Sequence, residues 1–118
     1  MELEKQVTSL ELSKRLKELG VEQESLFYWI GGKEKYIAFR DFPDSTLPQL
    51  IEKGYSAFTV AELFDESMDE TSLEKATDGI NTYYICKLDI RGGLKFIDTN
   101  PANALAKMKI SLIEYKLI

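Results

Sequence analysis

A chain of 118 residues that is 44% hydrophobic and 30% charged is a single globular domain, residues 1–118, large enough to bury a core without staples. Its net charge of -5 argues against a nucleic-acid surface, its single cysteine excludes an intramolecular disulfide, and the absence of histidine removes the commonest general base and metal ligand. The opening MELEKQ is acidic and polar, unlike a signal peptide, and no apolar run approaches the ~20 residues of a membrane span, so a cytoplasmic location is expected.

The first helix is predicted over residues 9–19. Thr8 at N-cap and Glu11 at N3 form a capping box, and Val7 with Leu12 forms the accompanying hydrophobic staple. Leu12, Leu16 and Leu19 make one apolar stripe, and Gly20 is the expected residue just past the end. Residues 26–30 (LFYWI) are apolar on both faces and stop at Gly31-Gly32, which reads as a strand needing cover on both sides. Residues 36–40 are its hairpin partner across a five-residue turn. Pro43 and Pro48 break any long element, leaving residues 47–53 room for a helical turn or two.

Thr59 and Glu62 form a second capping box, with Phe58 and Leu63 as its staple. The stretches VTSLEL and FTVAEL share one pattern, and each precedes strands and a Gly-Gly turn. Two αββ units plus a closing helix follow, although a common way of starting helices accounts for the likeness as well as duplication does. Residues 65–81 contain no apolar period beyond Met68 and Leu73 and read as a mobile acidic connection.

The clearest element is a hairpin of residues 82–90 and 94–98 around Arg91-Gly92-Gly93. A three-residue loop is favoured, because it sets Ile90 opposite Leu94, Leu88 opposite Phe96 and Asp89 opposite Lys95. Asn100 then caps and Pro101 takes N1 of a helix reaching Ile118. Leu105, Met108, Leu112 and Tyr115 form one apolar face; Ala106, Ile110, Ile113 and Leu117 form its neighbour. So wide an arc marks the main core helix.

The candidate chemistry is sparse. Residues 62–78 hold seven acids against one base, Lys75. A calcium loop starting at Asp65 fails, because Glu70 stands where glycine is required and Ala76 where the bidentate glutamate belongs. Carboxylates such as Asp65 and Asp69 lie in what reads as a loop, whereas acid/base work needs a rigid, partly dry site. Cys86 alternates with Tyr84 and Leu88 on a strand, which favours burial over reactivity. Phe27, Trp29, Tyr83 and Tyr84 are strand aromatics of the kind that stack on RNA, but only Lys33, Lys35 and Arg40 accompany them, which favours packing. Residues 9–29 have the look of a helix-turn-helix with Lys14, Arg15 and Lys17 on its first helix. Its second helix would place Glu22 and Glu24 against phosphates, and residues 26–30 make a better strand.

The opening SLELSKRLKELGVEQESLFYW and the ending NPANALAKMKISLIEYKLI resemble a group of small prophage-type proteins of gut bacteria, and the second half resembles the phage domain described as an α-β-α sandwich. The resemblance covers the two ends and implies a phage origin and a layered α/β shape. It brings no catalytic residue.

The sequence therefore predicts an α+β domain in the order αββαββα, with two antiparallel hairpins in one sheet and helices on one face or, as an α-β-α sandwich, on both. The function expected is that of a phage or prophage accessory protein, a non-enzymatic protein-interaction module. It would dock an unidentified protein through Asp65, Glu66, Asp69 and Glu70 or through an exposed sheet face. A homodimer formed on exposed aromatics and a DNA-binding regulator using residues 9–29 are the alternatives. No catalytic residue, metal or cofactor is expected, and no nucleic acid or membrane as partner.

Overall fold

The N-terminal segment, residues 4–9, ties the molecule together. Its backbone amides and carbonyls are bonded to Trp29, Phe58, Asn100 and Asn103. The structure is a computed structural model describing residues 2–31, 34–40, 53–65, 67, 70–89 and 93–117. After a 3-10 turn at Leu3–Lys5 come α1 (Leu10–Glu18), β1 (Phe27–Ile30), β2 (Tyr36–Phe39), β3 (Tyr55–Ala57), α2 (Val60–Asp65), β4 (Thr71–Thr77), β5 (Thr82–Leu88), β6 (Leu94–Asp98) and α3 (Pro101–Glu114).

The α+β class holds, but the strands form two sheets of three rather than one sheet of two hairpins, in the orders β2-β1-β3 and β4-β5-β6. Each expected hairpin gains a third strand. β3 pairs antiparallel with β1, and β4 pairs with β5 over its whole length, so the central strands already have partners on both sides. The expected mobile connection over 65–81 is therefore corrected: residues 71–77 are an edge strand. Edge strands carry charge on their open side, and Leu73 is the only large apolar residue in β4, so it gave no periodic signal. The Asp78-Gly79 turn after it is specific. Asp78 Oδ1 accepts from the Ile80 and Asn81 amides at 3.0 and 2.8 Å, which holds its carboxyl below the usual range.

β1 and β2 pair antiparallel as expected, with Ile30 opposite Tyr36. In the second hairpin Leu88 stands opposite Leu94 and Cys86 opposite Phe96. The expected register is thus off by two residues. Because the shift is even, every side chain keeps its expected face. Leu88, Cys86, Leu94 and Phe96 point toward α3, while Ile85, Lys87, Lys95 and Ile97 point away.

α3 is the core helix. Ala102, Ala104, Leu105, Ala106, Met108, Ile110 and Leu112 are buried with Leu16, Phe58, Leu63, Cys86 and Leu88. It covers one face of the β4–β6 sheet; among the described residues no helix covers the other, so the sandwich arrangement is not completed there. The helix ends at Glu114, earlier than expected. Lys116 takes φ +57, and the Leu117 amide returns to the Leu112 carbonyl at 2.8 Å, a glycine-type stop made without glycine. Tyr115 and Leu117 are consequently exposed. Gly20 stops α1 by the same pattern, as its sequence position predicts: Gly20 and Val21 return to the Lys17 and Leu16 carbonyls, each at 3.0 Å. Asn100 caps α3 through the Ala102 and Asn103 amides, again as expected.

At the second capping box Thr59 Oγ1 accepts from the Glu62 amide at 3.2 Å, and Glu62 Oε1 accepts from the Thr59 amide at 3.0 Å. The first is corrected. Ser9, not Thr8, caps α1, accepting from the Leu12 amide, and Glu11 is exposed. Thr8 instead pairs with the other motif: its amide donates to the Phe58 carbonyl at 2.9 Å, and its hydroxyl oxygen accepts from the Phe58 amide at 3.0 Å. Residues 47–52 lie outside the described residues.

Candidate functional site

The acidic run does not act as one patch. Glu62 closes the α2 cap and reaches the Leu26 amide at 3.1 Å. Glu74 pairs with Lys87 across β4 and β5 at 3.2 Å, and Asp78 holds its own turn. Of the four expected docking residues, Asp65 stands exposed at the end of α2, and Glu70 is exposed before β4, its carbonyl accepting from the Asp89 amide at 3.4 Å. Glu66 and Asp69 lie outside the described residues. Among the described residues no group of three or more His, Cys, Asp or Glu side chains is placed to hold a metal ion.

The other candidates are occupied by structure. Cys86 is buried with Sγ 3.6 Å from Met108 Sδ, and burial raises its thiol to about 11, as its strand position predicts. Residues 9–29 form one helix, an extended segment and the start of β1, so the two-helix DNA-reading geometry is not made. The cations of α1 are also engaged. Lys14 and Lys17 lie over the Tyr55 ring at 5.7 and 5.2 Å, and Arg15 is held by Glu114 and Glu18 at 2.8 and 3.3 Å. The four strand aromatics do not form one stacking platform. Phe27 and Trp29 share a face of the first sheet, whereas Tyr83 and Tyr84 point to opposite faces of the second.

A surface that the sequence reading did not single out is more distinctive. Phe27, on the central strand β1, stands opposite Phe39 on the edge strand β2, their ring centroids 5.6 Å apart. On the same face the Trp29 Nε1 donates to the Thr8 carbonyl, just ahead of α1, at 2.9 Å. Phe27 is left as the wall of a cleft of about 390 Å³, completed by Leu3, Gln6, Thr59, Val60, Ala61 and Pro101. That volume is at the small end of the roughly 300–1,000 Å³ typical of ligand pockets, with room for a few side chains. Of the exposed large hydrophobics, Leu3 lines it and Phe39 stands beside it across from Phe27, 38% and 43% accessible, while Phe64 on α2 is 40% accessible. Phe64 lies one turn beyond Val60 and Ala61 on α2, and Leu26 is fastened to α2 by its amide.

The cleft exists because the N-terminal segment is fixed over it. Asn100 Nδ2 donates to the Val7 carbonyl at 2.7 Å, the Ser9 amide donates to Asn103 Oδ1 at 2.8 Å, and Val7 bridges Thr59. Two weak signals were available in the sequence. Leu3 is an apolar residue in a polar start, and α2 is too short to bury both Leu63 and Phe64.

The described residues contain no helix long and apolar enough to cross a membrane. The chain matches no protein-family model, no curated protein and no solved structure.

Proposed function

We propose that this protein is a non-enzymatic interaction module, an accessory protein of phage or prophage type acting in the cytoplasm, and that it docks another protein at the Phe27 cleft. The observation that carries the reading is an apolar recess walled by Phe27, Val60 and Ala61 and lined by the exposed Leu3, with the exposed Phe39 ring 5.6 Å from Phe27 and the exposed Phe64 one turn along α2 from Val60 and Ala61. Small folded domains rarely hold such groups together in water without a use, because each costs free energy for as long as it stays uncovered. The resemblance of the two ends to small prophage proteins supports the accessory role. The outer face of the β4–β6 sheet is the weaker docking surface: its apolar Ile85 and Ile97 are interrupted by Lys87, Lys95 and Glu74.

The test is a photo-crosslinking side chain placed at Phe64 or, as control, at Ile97, in the cell that makes the protein. A discrete adduct is expected from position 64 alone, abolished when Phe39→Ser is added. Adducts from Ile97 alone, or adducts at Phe64 that survive Phe39→Ser, would remove the cleft from the reading.

A further inference from the structure

The β4–β5 hairpin ends in an arm that neither the core nor the cleft uses. β6 pairs with β5 only from Leu88 to Tyr84, so beyond Tyr84 the hairpin continues as a two-stranded ribbon with no third strand among the described residues. Residues 77–82 at its end are all exposed, and Ile80 at the tip is 91% accessible, the barest large hydrophobic among the described residues. The tip is nevertheless fixed. Asp78 Oδ1 accepts from the Ile80 and Asn81 amides, the Asp78 amide donates to the Asn81 carbonyl at 3.2 Å, and the Gly79 amide donates to Thr77 Oγ1 at 3.2 Å. Gly79 takes φ +94, as the first central position of a two-residue hairpin loop requires. A lone exposed apolar side chain is ordinary on a protein surface. One held out on a bonded turn is preorganised for a contact.

Resting on the cleft as a docking site, we infer that its occupant is the Ile80 tip of a second copy, the two copies exchanging arms about a two-fold axis. The recess and the tip are complementary in kind: the one is apolar and about 390 Å³, ample for a branched aliphatic side chain, and the other is a bare isoleucine. They also lie at one end of the molecule. Asp98 pairs with Tyr84 at the root of the arm and accepts from the Asn100 amide at 2.8 Å, and the next residue, Pro101, lines the cleft. Ile80 stands four residues out from Tyr84, a reach of about 13 Å. The arm does not fill its own cleft, since no arm residue lines it and Ile80 is bare. A two-fold axis at that end carries each tip across to the other copy, makes the contact twice, and closes the assembly at two. Charge on the tip does not oppose entry. Residues 79–83 (GINTY) are uncharged, and the Asp78 carboxylate is turned back onto its own loop.

The experiment is sedimentation velocity on the full chain over a wide range of concentration. Wild type is expected to form a concentration-dependent dimer and nothing larger. Ile80→Asp, at the tip, and Ala61→Arg, on the exposed wall of the cleft, are each expected to weaken it by about tenfold or more, as losing an anchor contact does, whereas Ile97→Ser leaves it unchanged. Exchange makes a sharper demand. Mixed one to one, the Ile80→Asp chain supplies an intact cleft and the Ala61→Arg chain an intact tip. The mixture is therefore expected to form heterodimers, held by one of the two contacts, at concentrations where neither variant associates alone. All three positions are exposed, so folding is kept, and thermal melts confirm it. A monomeric wild type, dimers that survive Ile80→Asp or Ala61→Arg, or a mixture that does not associate overturns the arm exchange. Assembly beyond two overturns the two-fold closure and with it the inference. In each case the cleft stands as a docking site for a different protein if the Phe64 adduct forms with that protein and is lost with Phe39→Ser, and it falls with the inference if no such adduct forms.

Discussion

Thr8 and Thr59 occupy equivalent places in two stretches of one pattern, VTSLEL and FTVAEL, and their hydroxyls are used in opposite ways. Thr59 serves its own helix, closing a reciprocal cap with Glu62. Thr8 serves the rest of the molecule: its oxygen accepts from the Phe58 amide and lies 2.7 Å from the Ser13 hydroxyl, while its carbonyl takes the Trp29 indole. The residue that follows explains the difference. After Thr8 comes Ser9, which can cap α1 itself and does; after Thr59 comes Val60, which cannot. Freed of capping, Thr8 moves one place out of the helix, and the contact between positions N′ and N4, normally apolar, becomes a hydroxyl pair with Ser13. A local pattern thus decides that a helix begins, and the neighbour across the fold decides which residue begins it.

The largest effect is expected where the hydroxyl is tertiary. Thr8→Val keeps shape and volume but leaves the buried Phe58 amide without its side-chain acceptor, a cost of about 2 kcal/mol. Urea unfolding followed through Trp29 fluorescence measures it. Adding Ser13→Ala should cost less than its separate effect, because the Ser13 hydroxyl has then already lost its nearer partner and keeps only the Thr8 carbonyl at 3.3 Å. If Thr8→Val proves milder than the corresponding change at Thr59, the distinction between the two threonines is wrong.

The same distinction marks what the chain reveals before folding. The presence of a helix after Thr8 though not its capping residue, the capped start of α2 at Thr59, the stop at Gly20, the Asn100-Pro101 start of α3 and the burial of Cys86 are local or periodic, and each was legible. What was not legible depended on partners distant in the chain. β3 is three residues, Tyr55-Ser56-Ala57, and is a strand only because β1 lies beside it. β4 carries Glu74 and Lys75 because one edge is open. The two units also differ in strand order, the first strand central in one sheet and the second strand central in the other, so the shared VTSLEL and FTVAEL pattern does not extend to a shared topology. The cleft escaped the sequence for the same reason. Leu3, Phe27, Val60 and Pro101 are separated by dozens of residues and meet only once Val7 is bridged to Thr59 and held by Asn100. Acidity over residues 62–78 was plain to read, but its division into cap, ion pair, turn and open carboxylates was not.

Thr59→Ala should cost about 1 kcal/mol, the ordinary value of a cap. The loss is limited because Glu62 keeps the Thr59 and Leu26 amides as donors, so the end of α2 stays fastened to β1. Replacing Glu62 as well should therefore cost more than the two changes made singly would suggest, since the second removes the support on which the first relied. Chemical denaturation of the two single variants and the double variant checks this. Additive losses would mean that the box and the Leu26 clasp act independently.

A third hydroxyl completes the series with the smallest effect and the opposite sign. Ser56 lies on β3 with 0% exposure, and its Oγ has no hydrogen-bond partner, although its amide donates to Gln23 Oε1 at 2.8 Å. A buried hydroxyl without a partner has given up water for nothing, so Ser56→Ala should raise stability by up to about 1 kcal/mol while leaving the strand bond to Gln23 in place. The sign is what discriminates. Threonine at position 8 is costly to lose because its oxygen satisfies a distant amide, threonine at 59 costs less because its partners are local and have substitutes, and serine at 56 should be better absent. A melt showing Ser56→Ala to be destabilising by as much as Thr59→Ala would mean that burial at β3, like burial at Thr8, comes with a bond.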